Sequence, residues 1–153
     1  MKQGLLLVAM ACGAWTAAAA QAPAHEHHRV IPADQLQWGA GPPSLPPGAQ
    51  AVALYGNPAA EGLFVLRVRL PDGYRIPPHT HRGPEILTVL SGTFHLAMGA
   101  DGEPAALGAG SFFALPAGMV HHARAEGETV VQISTNGPWQ IDYVNPADDP
   151  RRQ

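Results

Sequence analysis

The 153-residue chain has one cysteine, Cys12, and one lysine, Lys2. A single thiol cannot close an internal disulfide, and no cysteine-rich metal site can be built from it. Charged residues make up only 14% of the chain, and the net charge of −3 comes without any block of one sign. The chain therefore lacks the basic stripe that nucleic acid or an anionic membrane surface would require. What it has in quantity is glycine, 17 residues, and proline, 16. Spread among short apolar runs, they favour a β-structure cut by frequent turns over a helical bundle.

Met1 to Ala20 reads as a secretory signal peptide. Lys2 supplies the positive start, and Gly4 to Trp15 is an apolar stretch too short to cross a bilayer. Ala18, Ala19 and Ala20 supply small residues for cleavage before Gln21. Cys12 lies inside this segment and makes a poor lipid-attachment site, because Ala9 stands where an aliphatic residue is usual. The expected product is a thiol-free protein of the periplasm or the medium. The expected organisation is a leader over 1–20, a flexible lead and surface loop over 21–49, one barrel over 50–146 and a fraying tail over 147–153.

Within the barrel region, short strands are predicted at Ala51–Tyr55, Leu63–Leu70, Arg75–His81, Glu85–Leu90 and Thr93–Met98. Further strands are predicted at Ser111–Leu115, His121–Ala125, Thr129–Ser134 and Gln140–Val144. Turn residues such as Pro71-Asp-Gly73, Ser91-Gly92 and Glu126-Gly127 separate them, the pattern of a sandwich or barrel. Pro77-Pro78 cannot donate ladder hydrogen bonds, so the third strand should start near His79.

Two runs carry the chemistry: Gly73 to Gly92, with His79, His81 and Glu85 inside it, and Gly110 to His121, with Pro116 and Gly118. Alternate strand residues share a face, which puts His79 and His81 on one side, about 7 Å apart along the backbone. Glu85 resumes the chain after the Arg82-Gly83-Pro84 break, and the Pro116-Ala-Gly118 turn delivers His121. Three imidazoles and a carboxylate suit a first-row divalent metal and leave up to two open positions. The ion can be iron, manganese, nickel, cobalt, copper or zinc, and the donor set does not choose among them.

The two runs resemble the paired motifs of the cupin superfamily, at its usual spacing. The resemblance implies an all-β fold, a double-stranded β-helix or jelly-roll barrel, with the metal in one mouth and frequent assembly as a homodimer. It carries His79, His81, Glu85 and His121 over as metal ligands. The chain departs from the pattern at Ala125, where the family often has Asn.

Other residues read more plainly. His122 neighbours His121 and must face the other way; His95 is read as a satisfied core or surface histidine, and His25, His27 and His28 as a solvated tail. Leu87, Val89, Ala123 and Ala125 are expected on the inner face. Phe94, Met98, Phe112, Phe113 and Trp139 are expected nearby, and Arg75, Arg82 or Arg124 as candidate anchors for an anionic substrate. The leading functional expectation is a metal-dependent dioxygenase acting on an enol, phenol or 1,3-dicarbonyl small molecule, with Glu85 also moving a proton. The competing expectation is a non-catalytic periplasmic binding or sensing module with a metal anchor.

Overall fold

The computed structural model describes residues 29–152. The leader and the His25, His27 and His28 cluster lie outside that range. Among the described residues the secondary structure is β-strand with three short 3-10 turns. No helix of the described residues is long and apolar enough to cross a membrane.

Strand β3 (Gly62–Leu70) shows why the sequence forms a barrel wall. Phe64, Leu66, Val68 and Leu70 alternate with outward residues, and all four are buried. A period of two puts that apolar set on one face, and burying each side chain contributes about 1.5–3 kcal/mol. β3 pairs with β2 (Gln50–Tyr55), which in turn pairs with the two-residue β1 (Gly39–Ala40). On its other side β3 pairs with the second half of β8 (His121–Gly137).

β8 organises the sheet. Its first half pairs with β4 (Arg75–Thr80), and its residues from His121 to Ile133 run against β5 (Glu85–Met98). β5 also pairs with β6 (Ala105–Gly108) and β7 (Phe112–Leu115), while β4 carries β9 (Asp142–Tyr143) at its end. All pairings are antiparallel, as the jelly roll requires. The core packs Phe64, Leu66, Val68, Val89, Phe94, Val131 and Ile133 between the walls.

Four expectations need correction. Ser91-Gly92 and Glu126-Gly127 do not end strands; they bend two long ones. The bends lie against each other, with Ser91 opposite Val130 and Thr93 opposite Glu126, so pairing continues around the corner. Gly92 has φ 76°, and a Cβ there would meet Glu128 O at 2.5 Å, so the corner requires glycine. Pro77-Pro78 sits inside β4, at a register shift between Ile76 and His79 that leaves neither proline a partner on β8. The 41–49 loop does more than cross the surface. Leu45 is buried, and the hydroxyls of Tyr74 and Tyr143 donate to Pro46 O and Ser44 O. Finally, the tail is tied down: Arg151 donates to Asp149 and, at 2.8 Å, to Ile141 O.

Candidate metal centre

His79 is the penultimate residue of β4, and His81 lies just past its end. Glu85 opens β5 and His121 opens β8. A hydrogen bond from Gly118 N to His81 O, 2.9 Å, ties the Pro116–Gly118 turn to the first histidine pair. Gly118 has φ 76°, a conformation glycine adopts without strain, and the turn sets the phase of β8 so that His121 faces inward. All four side chains converge and are buried, His79 and His121 at 2% exposure, His81 and Glu85 at 5%.

The donor nitrogens of His79, His81 and His121 lie within 4.8 Å of one another. The His79 and His121 rings are 4.2 Å apart and the His79 and His81 rings 5.0 Å. Glu85 closes the group, with Oε2 3.0 Å from His121 Nε2 and Oε1 3.5 Å from His81 Nε2.

Each imidazole is oriented by a backbone carbonyl. His79 Nδ1 donates to Pro77 O at 2.8 Å, His81 Nδ1 to Gln140 O at 2.7 Å and His121 Nδ1 to Met119 O at 3.0 Å. A carbonyl can only accept, so Nδ1 carries the proton and the neutral ring turns its Nε2 lone pair inward. Three lone pairs and a carboxylate then face one another in a buried cavity. His81 Nε2 is buried, and its nearest partner is Glu85 Oε1 at the long distance of 3.5 Å. A buried acceptor cluster of this kind is stabilised by a cation at its centre, and a first-row divalent ion fits the donor set.

The titration behaviour agrees. Burial, helped by the neighbouring His121 and His81, pushes His79 down from 6.5 to about 3, which keeps it a neutral donor. Burial would raise Glu85, but the His121 and His81 rings beside it outweigh that and hold the carboxyl at about 2. Burial opposes a proton on His81 too, yet the hydrogen bond and charge of Glu85 raise its pKa above the ordinary value. In the ion-free site, a proton on His81 takes the cation's part.

Leu45, Val68, Leu87, Phe94, Ile133 and Ile141 form much of the apolar wall. The free volume is about 20 Å³, room for one water-sized molecule beside the donors. Trp139 also lines this cavity. Its ring stacks on His81 at 5.4 Å, its Nε1 is buried without a partner, and its far side faces a separate pocket bounded by Pro42, Pro43 and Pro58.

The sequence-predicted residues divide cleanly. His79, His81, Glu85 and His121 come together, and Leu87, Val89, Ala123 and Ala125 lie on the inner face as expected. Ala125 is wholly buried opposite Phe94, so the place often held by Asn is apolar core here. Met98 and Phe112 instead point outward, at 42% and 60% exposure. None of the three candidate arginines lines the cavity. Arg82 is exposed and pairs with Asp142 at 3.3 Å, while Arg75 and Arg124 lie on the outer face of the sheet. His95 is satisfied by Glu126 at 2.7 Å. Sequence reasoning missed Leu45, whose one signal was being the sole large aliphatic residue in a Pro/Gly-rich run. It also missed the three orienting carbonyls, because backbone acceptors leave no trace in residue identity.

A family model described as "Cupin domain" matches residues 66–135, a span that contains all four donors. The chain belongs to the cupin superfamily. The curated proteins include a 30% identical relative over 97 residues, germin-like protein 4-1 of Oryza sativa subsp. japonica. That match covers 55% of this chain and 38% of the rice protein, so the cupin spans well under half of that relative's length. Among solved structures, the polyketide cyclase RemF from Streptomyces resistomycificus aligns with a TM-score of 0.64 at 17% identity, covering 81% of this chain and 90% of RemF. The salicylate 1,2-dioxygenase of Pseudoaminobacter salicylatoxidans, a G106A mutant in complex with gentisate, aligns with a TM-score of 0.55 at 22% identity. That alignment covers 68% of this chain and 31% of the dioxygenase. At these identities the two structures establish the shared jelly-roll fold.

Proposed function

We propose that this cupin is a metal-dependent small-molecule enzyme of dioxygenase type, exported to the periplasm or the medium. His79, His81, Glu85 and His121 hold one divalent transition metal. The observation that carries this reading is the orientation of the imidazoles: three Nδ1–carbonyl bonds aim three Nε2 lone pairs at the point the Glu85 carboxylate reaches. Orienting bonds of that kind accompany metal-ligating histidines generally. Bound iron or manganese would supply redox chemistry with dioxygen.

The chain's own residues supply the rest. The Pro77, Gln140 and Met119 carbonyls keep the rings in place, and Leu87, Phe94, Ile133 and Ile141 keep bulk water out. Glu85, the one carboxylate among the four, would accept the proton of an enol or phenol on a free oxygen lone pair. The apolar wall suits a small, flat molecule that offers one such oxygen. Fold likeness to a polyketide cyclase and to a dioxygenase bound to gentisate supports a small-molecule enzyme. Assembly as a homodimer belongs to the same proposal.

The free volume of about 20 Å³ favours a second reading, in which the metal anchors a non-catalytic binding or sensing module and no substrate is turned over. Oxygen uptake separates the two. Iron- or manganese-loaded protein offered catechols, diketones and flavonols should consume oxygen with at least one class. No turnover on the panel, with an intact ligand retained through purification, would establish the binder instead.

A further inference from the structure

The strands that carry the centre hold a second feature on their outer face. Arg75, His95, His122 and Arg124 line a cleft of about 280 Å³, walled also by Pro77, Pro78 and Pro104. Strand pairing sets Arg75 directly opposite Arg124, and Arg124 directly opposite His95. Cross-strand partners have Cβ atoms about 5 Å apart, and like charges so placed destabilise a sheet. One carboxylate answers them. Glu126 takes His95 Nε2 at 2.7 Å and Arg124 Nη2 at 3.6 Å. Arg75 has no ion-pair partner among the described residues. One carboxylate thus serves Arg124 and His95 together, and none serves Arg75.

We propose that this cleft binds the phosphate group of a small molecule between the Arg75 and Arg124 guanidiniums. A guanidinium is a planar fork that takes two oxygens at once. A tetrahedral phosphate can offer one edge to each of two forks, whereas a lone carboxylate fills only one. His95, His122 and the three prolines form the walls. The cleft falls just below the roughly 300–1,000 Å³ of drug-sized ligand sites, so the ligand is phosphate or a small phosphate monoester. The site is separate from the metal centre, for His121 and His122 are neighbours in sequence that face opposite sides of β8.

Calorimetric titration of the metal-loaded full chain with inorganic phosphate at low ionic strength tests the proposal. Saturable one-to-one binding is expected, weakened at least tenfold by Arg75→Gln and by Arg124→Gln. Arg67→Gln, outside the cleft and hydrogen-bonded to Gln132, should leave it unchanged. Acetate should bind at least tenfold more weakly than phosphate. Chelator-treated protein should bind phosphate as the loaded protein does. Absent binding, wild-type affinity in either cleft variant, acetate as tight as phosphate, or loss on chelation would each overturn the proposal; the last would put the anion on the metal.

Discussion

The first six residues of β8 interleave two sets with opposite fates. His121, Ala123 and Ala125 face inward, at 2%, 5% and 0% exposure, while His122, Arg124 and Glu126 face outward. The two adjacent imidazoles are chemically identical, yet one meets two imidazoles and a carboxylate in a buried cavity and the other walls a charged cleft. The difference teaches that strand phase assigns the chemistry here. A single turn, Pro116 to Gly118, sets that phase, and the bond from Gly118 N to His81 O locks it to the other ligands.

The contrast is open to direct attack. The largest expected effect is that His121→Ala abolishes stoichiometric metal binding, while His122→Ala leaves it within about threefold of wild type, read by metal analysis after gel filtration. Equal losses would show that the two faces are not distinct. Next comes Ala125→Asn, which buries an amide opposite Phe94 and should cost about 1–3 kcal/mol in thermal or urea unfolding. Arg124→Ala, one residue away on the outer face, should stay within about 0.5 kcal/mol. Comparable costs would remove the distinction between core and cleft.

Acidity probes the same division. Metal binding needs deprotonated donors. Near neutrality His79, at about 3, and Glu85, at about 2, hold no proton to lose. On His81 burial disfavours a proton, but Glu85 outweighs it and raises the pKa, so protons compete with the metal for this ring at higher pH than for those two groups. Affinity should therefore be full above the His81 pKa and fall about tenfold per pH unit below it, one proton per metal. His122→Gln should not alter that slope; a change would bring the outer imidazole into the inner equilibrium. The smallest effect concerns Trp139, whose ring stacks on His81. Trp139→Ala should weaken metal binding several-fold and Trp139→Phe less, whereas equal affinity for all three proteins would leave the stacking without a role.

Much of this could be read in the residues because glycine, proline and histidine positions express strict geometric demands. The four donors and the phase of β8 follow from alternation and one turn, and the alternation of Phe64, Leu66, Val68 and Leu70 marks a barrel wall. The corners at Ser91-Gly92 and Glu126-Gly127 were less legible, since a turn and a bend within a strand use the same residues. Only the pairing of β5 with β8 distinguishes them. The burial of Leu45 and the anchoring of Arg151 on Ile141 O were not legible, because both depend on contacts between segments remote in sequence. The same holds for the opposition of Arg75 and Arg124, which requires the register of two strands separated by more than one motif.

X-ray absorption at the metal edge of the loaded protein, with the ion counted per chain, tests the central claim most directly. The account predicts one ion per chain, with the multiple-scattering signature of three imidazoles and an oxygen donor, all at about 2.0–2.2 Å. A metal bound by fewer than three imidazoles, or no stoichiometric metal at all, would contradict it.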